Sequence, residues 1–387
     1  MTRRAARVRT TTWAVAPPLT AGTRSLGFAL MVVGVVGFGG VLGGPGLARA
    51  ETPPSVWDVA RDPAQSDRWD LHMRVQRLLH PPAGEGGLRF DDELRIEAAC
   101  AMLEEGDAAH SSDLRLRFDL GIVYSELASR ERRNDLQQKV IDVLAPALDS
   151  AHPLLMERPD DGAVTSALEA LVYAYAKLDR PHEELETWRR YIPRLVDERV
   201  RATAMMNMGE AQMRLGRVDD ALATFHEVLR MCGELPNTPS VGSTYVLALW
   251  DVAVALDRSG DPRGALETAA KASHVDLGGR TGAYLIAKDP DVFFVPEWER
   301  LWYLALGAAA EAREAQDVRD AAILWASAER ALDQYVARAA AAGGHDPWLP
   351  IARVRLERVR VERLSTDKRA ARLPPRAPVR GTAWIGD

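Results

Sequence analysis

"RATAMMNMGEAQMRLGRVDDALATFHEVL", residues 201–229, reads as two helices broken at Gly216. In the first, Met205, Met208 and Gln212 recur at helical spacing, and Gly209 leaves room for a close neighbour. In the second, Ala221, Phe225 and Val228 share one face at i, i+4 and i+7. Leu215-Gly216 supplies a helix stop, and Asp219-Asp220 suit the positive end of the next helix dipole. A small residue on one helix and an aromatic on the next predict two antiparallel helices in close contact.

Working outward, similar stretches follow and precede it. "LALWDVAVALDRSGDPRGALETAAKA" (247–272) puts Ala253, Gly260 and Ala265 at the corresponding places, with Ala269 where the aromatic stood. "LEALVYAYAKLDRPHEELETWRRYI" (168–192) supplies Leu168, Leu171, Tyr175 and Trp188, but carries Glu184 at the small site. "ALGAAAEAREAQDVRDAAILWASAERAL" (305–332) supplies Ala309, Ala321, Trp325 and Ala328, with Leu306-Gly307 out of register. "LGIVYSELA" (120–128) supplies Leu120, Gly121 and Tyr124.

These spacings resemble the tetratricopeptide repeat family, whose unit is a helix-turn-helix of 34 residues. The copy at 202–235 is the strongest, and the likeness extends over about 115–340 with interruptions. The resemblance implies an all-α fold, an α-solenoid of antiparallel helix pairs forming a TPR-like superhelix. Residues 113–341 would form the array, with an insertion at about 275–298. Helices at 64–79 and 91–105 would form an N-terminal pair or cap within 51–112. Residues 342–366 would close the array as a capping helix, packing through Ile351, Val354, Val361 and Leu364 with its Arg-rich face outward. A basic disordered tail, 367–387, would follow.

The first fifty residues stand apart. They carry six arginines and no acid, then the apolar run "LGFALMVVGVVGFGGVL" (26–42), then Ala48 and Ala50 before Glu51. That order describes a secretory signal peptide, with cleavage expected after Ala50. The other reading is an inner-membrane anchor at 26–42, although the run is short of the about 20 residues a span needs. The protein is therefore expected to be exported, to the periplasm or cell envelope. The whole chain carries −6 and the leader six positive charges, so residues 51–387 carry −12. An acidic body argues against a nucleic-acid partner. Membrane contact is expected only through the N-terminal segment, if uncleaved. Cys100 and Cys232 lie far apart in helix-like stretches and read as buried thiols.

No enzyme signature is present: no G-x-S-x-G, no H-E-x-x-H and no phosphate-binding loop. The eight histidines are scattered, so no metal or other cofactor is expected. The likeness instead implies a non-enzymatic scaffold with a concave groove for a protein or peptide of unknown identity. By the family's positions the groove candidates are Tyr173, Met206, Glu210, Met213, Trp250, Asp257, Tyr303 and Arg313. Asn207 matches one position of the family's carboxylate clamp, but its lysine partners are missing. Two other readings remain open: a self-associating envelope component, or a helical-repeat cell-wall enzyme with an acidic pair in a pocket. For the insertion, "HVDLGGRTGAYLIAKDPDVFFVPEWERLWY" (274–303), the apolar content allows either packing between units or folding back over the groove.

Overall fold

Three helix-to-helix turns share one geometry. Asp179, Gly216 and Gly260 each adopt positive φ, at 54°, 73° and 100°. The residue after each donates its N–H back across the turn: Arg180 to Tyr175 O at 2.8 Å, Arg217 to Gln212 O at 2.9 Å, and Asp261 to Leu256 O at 2.8 Å. This is the six-to-one bond that satisfies a carbonyl left over at a helix end. Many helix starts are capped in a common way too. Asp161, Asp197, Asp261 and Asp317 each accept a backbone N–H from the first turn of the helix that follows.

The structure is a computed structural model, and it describes residues 63–80, 90–131, 133–150, 153–159, 161–289, 292–343 and 346–374. The leader and most of the basic tail lie outside these. Among the described residues the chain is all-helical, with no strand and one isolated bridge between Asp276 and Thr281. In chain order the helices are α1 (Pro63–Leu79), α2 (Phe90–Glu105), α3 (Leu114–Glu131), α4 (Asn134–Leu148), α5 (Pro153–Glu157), α6 (Gly162–Lys177), α7 (Pro181–Tyr191) and α8 (Glu198–Arg214). There follow α9 (Val218–Glu234), α10 (Pro239–Ser259), α11 (Pro262–His274), α12 (Gly282–Lys288), α13 (Arg300–Glu314), α14 (Val318–Ala341) and α15 (Leu349–Ala370).

Each helix from α6 to α11 packs on the next, and α11, α13, α14 and α15 continue the series. A second set of contacts reaches past the next helix: α8 with α10 skips one, and α3 with α6 and α10 with α13 each skip two, one of them the short α5 or α12. Small residues set the close approaches. A Cβ on Gly209 would fall 2.3 Å from the Phe225 ring, and one on Gly121 would run into Leu144. Gly209 thus leaves room for a close neighbour, and that neighbour is Phe225 on the following helix. One large apolar cluster runs from α1 to α8, and a second from α8 to α15. Cys100 lies in the first and Cys232 in the second, and no disulfide joins them. Helix α10 is long and apolar enough to cross a membrane, but most of it is buried inside the protein.

Two expectations need correction. Helix α15 runs to Ala370, past the expected end at 366. Its packed face is also different. Ala352, Arg355, Leu356 and Thr366 are buried, whereas Val354, Val361 and Leu364 are 53, 66 and 49% exposed. The packed face carries a stripe of its own, Leu349, Ala352, Leu356 and Val359, and on the same side Arg355 meets Asp257 inside the body. Within the insertion lies a helix, α12, with Leu285 and Ile286 buried.

Candidate functional site

Burial sorts the groove candidates. Met206, Met213, Trp250, Asp257 and Tyr303 all lie in the core, so their expected exposure in a groove is corrected. Helix α8 is packed between α7, α9 and α10, and Met206 and Met213 join the second apolar cluster there. Trp250 donates its indole N–H to Gly282 O at 3.1 Å, and its ring lies 3.0 Å from where a Cβ on Gly307 would stand. Tyr173 and Glu210 are half-buried, and Arg313 is exposed.

Tyr173 is not open to solvent alone. Phe293, from the segment after α12, meets it edge-on with ring centroids 5.1 Å apart. The next residue, Phe294, meets Tyr303 on α13 in the same manner at 5.0 Å. Residues 292–296 are non-helical, and they bring together α6 and α13, which are remote in the sequence. The insertion therefore folds back, touching two of the predicted groove residues.

Beneath this strap lies a cluster of buried charges. The Tyr303 hydroxyl donates to Asp251 at 2.7 Å, and the other Asp251 oxygen is buried without a hydrogen-bond partner. Burial pushes the Asp251 carboxyl up to about 7, against the pull of the Tyr303 hydrogen bond. Glu210 is held well above the usual carboxylate range, first by burial and then by the nearby Asp251. Glu184 pairs with Arg214, and burial raises its carboxyl as well. That pair explains how Glu184 can sit buried on α7: its charge is met by the last turn of α8.

Arg258 pairs with Glu299 at 2.6 Å and sits over two indoles, Trp302 at 4.4 Å and Trp348 at 4.8 Å. Arg355 from α15 pairs with Asp257 at 2.6 Å, and Trp302 donates to the same carboxylate at 3.0 Å. Buried pairs of this kind are weak sources of net stability, but removing one partner costs about 3–5 kcal/mol.

A row of carboxyls extends beyond the cluster. Glu126 on α3 and Glu169 on α6 are half-buried, and desolvation raises each to about 7, Arg130 partly opposing it at Glu126. With Glu210 on α8 and Asp251 on α10 they place one raised carboxyl on each of four helices. Glu169 and Asn207 also line a cavity of about 30 Å³ between α6 and α8, the size of about one water. The Glu210 and Asp251 pair is the acidic pair an enzyme reading calls for, yet Asp251 is closed off beneath Tyr303. No group of three or more metal-ligating side chains occurs among the described residues.

Sequence reasoning passed over Asp251, Arg258, Glu299 and Arg355, and it noted Glu184 and the apolar Phe293 and Phe294 without giving them partners. One signal was available: a carboxylate recurs at spacings of 43, 41 and 41 residues, at Glu126, Glu169, Glu210 and Asp251. Nothing local marked the other residues, because their partners come from distant helices. No protein-family model and no curated protein matches the chain.

Proposed function

We propose that the protein is an exported, non-enzymatic, TPR-like scaffold that holds a protein or peptide partner along one face of its helical array. In this reading the helices form antiparallel pairs stacked as a solenoid, and α3, α6, α8, α10 and α13 line its inner face. The pattern of contacts, neighbour to neighbour and then one or two helices further on, supports the stacking. Export rests on the basic, apolar and small-residue order of residues 1–50.

The observation that carries the binding reading is the strap. A non-helical stretch of the chain, with Phe293 against Tyr173 and Phe294 against Tyr303, already occupies the face where a peptide would lie. The partner is then an extended segment with aromatic anchors, seated beside a row of carboxyls, and it competes with the strap. Peptides selected by display on the immobilised protein test this. Selected peptides are expected to bind more tightly to the Phe293→Ala/Phe294→Ala variant and to fail on Tyr173→Glu. Peptides insensitive to all three changes would remove the inner face from the account.

One observation favours a second reading, self-association through the end helix. Val354, Val361 and Leu364 stand exposed on α15. A mass that rises with concentration, and no longer does so in Val361→Glu, would support it; a monomer at all concentrations would end it.

A further inference from the structure

A cleft of about 250 Å³ opens between α10, α11, α13, α14 and α15. An engineered cavity of about 150 Å³ with apolar walls stays dry and binds benzene. This one is larger, and its walls are formed by Leu266, Trp302, Leu306, Trp325, Leu332 and Val359. Alanines make the room: Ala305 and Ala309 line it where α13 faces α14 and α15. The apolar interior divides here, with Trp325 and Leu332 in two small clusters separate from the large one that holds Trp302.

The polar groups around the cleft are strongly biased. Arg263, Arg313, Arg355 and Arg358 line it, against Asp257 and Glu362. Arg355 is committed to Asp257 in the interior, and Arg263 pairs with Glu267 on its own helix. Arg313 and Arg358 are exposed and make no ion pair or hydrogen bond among the described residues. Two unengaged guanidinium groups therefore stand beside an apolar recess, with Glu362 as the one opposing charge that is not itself paired. Apolar walls attract a hydrocarbon by the ordinary hydrophobic effect, and guanidinium groups favour carboxylate or phosphate through paired N–H donors.

We propose that this cleft binds one acyl chain of an amphiphile with an anionic head, the hydrocarbon among Leu266, Leu306, Trp325 and Leu332 and the carboxylate or phosphate on Arg313 and Arg358. The strap residues do not line the cleft. The proposal is thus independent of the peptide-binding reading, and either can fail alone. The shared chemistry is an acyl chain with an anionic head, which a free fatty acid or a phospholipid in a bilayer can supply.

Calorimetric titration of the purified protein, in the form its own host delivers, with three twelve-carbon probes decides the matter. They are dodecanoate, dodecyl phosphate and dodecyltrimethylammonium, all used below their micellar concentrations. The two anions are expected to saturate at one per chain, with the cation at least tenfold weaker. Arg313→Glu/Arg358→Glu changes only exposed side chains and is expected to weaken the anions at least tenfold. Ala309→Trp fills the recess and is expected to abolish all binding; where that variant loses its helicity, the arginine variant carries the test. Co-sedimentation with phosphatidylglycerol vesicles, lost in the arginine variant, would assign the head to a bilayer lipid. Binding of the free probes without co-sedimentation would assign it to a soluble amphiphile. No saturable binding, or equal affinity for all three probes in wild type and arginine variant, overturns the proposal.

Discussion

The indole N–H of Trp348 donates to the main-chain carbonyl of Met213 at 3.0 Å, across 135 residues of sequence. The C-terminal segment thus reaches back to α8 at the centre of the chain. The same indole forms one side of the stack that holds Arg258.

Replacing this side chain separates packing from hydrogen bonding. Trp348→Phe keeps a ring and loses the donor, and is expected to cost about 1 kcal/mol. Trp348→Ala also removes the ring from the core and is expected to cost about 3–5 kcal/mol. Urea unfolding followed by circular dichroism measures both. Equal, small losses would show that the indole does not bridge α15 and α8.

Gly209 and Phe225 test the helix register. A Cβ at 209 falls 2.3 Å from the ring, so Gly209→Ala is expected to destabilise by about 1–3 kcal/mol through overpacking, despite alanine's better helix propensity. Phe225→Leu in the same chain makes room and is expected to recover part of the loss. A neutral or stabilising Gly209→Ala, read as the midpoint of thermal unfolding, would place the glycine elsewhere than against Phe225.

Asp179 occupies the left-handed position that glycine fills in the two related turns. Asp179→Gly is expected to stabilise by roughly 0.5–1 kcal/mol, and Gly216→Ala to destabilise by about 1 kcal/mol. Opposite signs at the two turns, measured by chemical denaturation, are the expected result.

The raised carboxyls predict a pH dependence. Glu126, Glu169 and Asp251 titrate near 7 in the folded protein, above ordinary values of 4.5, 4.5 and 3.8. The folded state therefore holds more protons than the unfolded state between those limits. Stability from these groups is complete below about pH 4 and declines as pH rises through 7. Carboxyls lowered by ion pairing, such as Asp197 beside Arg199, act in the opposite direction and at lower pH. The melting temperature is expected to fall from pH 5 to pH 8, with Glu169→Gln flattening that fall. A melting temperature that rises over this range would contradict the burial of these groups.

How much of this was legible beforehand follows from where each partner lies. The turn at Gly216, the stop at Gly260 and the contact of Gly209 with Phe225 are local, so spacing alone exposes them. The helix boundaries near 64–79 and 91–105 were legible for the same reason. The rotation of α15 was not. Its sequence offers two apolar stripes, Val354, Val361 and Leu364 or Leu349, Ala352, Leu356 and Val359, and the second is the one packed, with Arg355 meeting Asp257 beside it. Of the residues singled out as a groove, Tyr173 and Glu210 are half-buried, Arg313 is exposed and the other five lie in the core. Which of them stay accessible depends on what covers them: Tyr303 is roofed by Phe294, and Asp257 is sealed by Arg355 and Trp302. Such coverage comes from segments far along the chain, and no short pattern encodes it.

The most direct measurement is amide hydrogen exchange with and without a peptide selected on the protein. The account predicts faster exchange in residues 292–299 as the strap is displaced, with slower exchange in α6, α8 and α13. Unchanged exchange in the strap, with protection on other helices, would contradict the claim that this face is where the protein binds its partner.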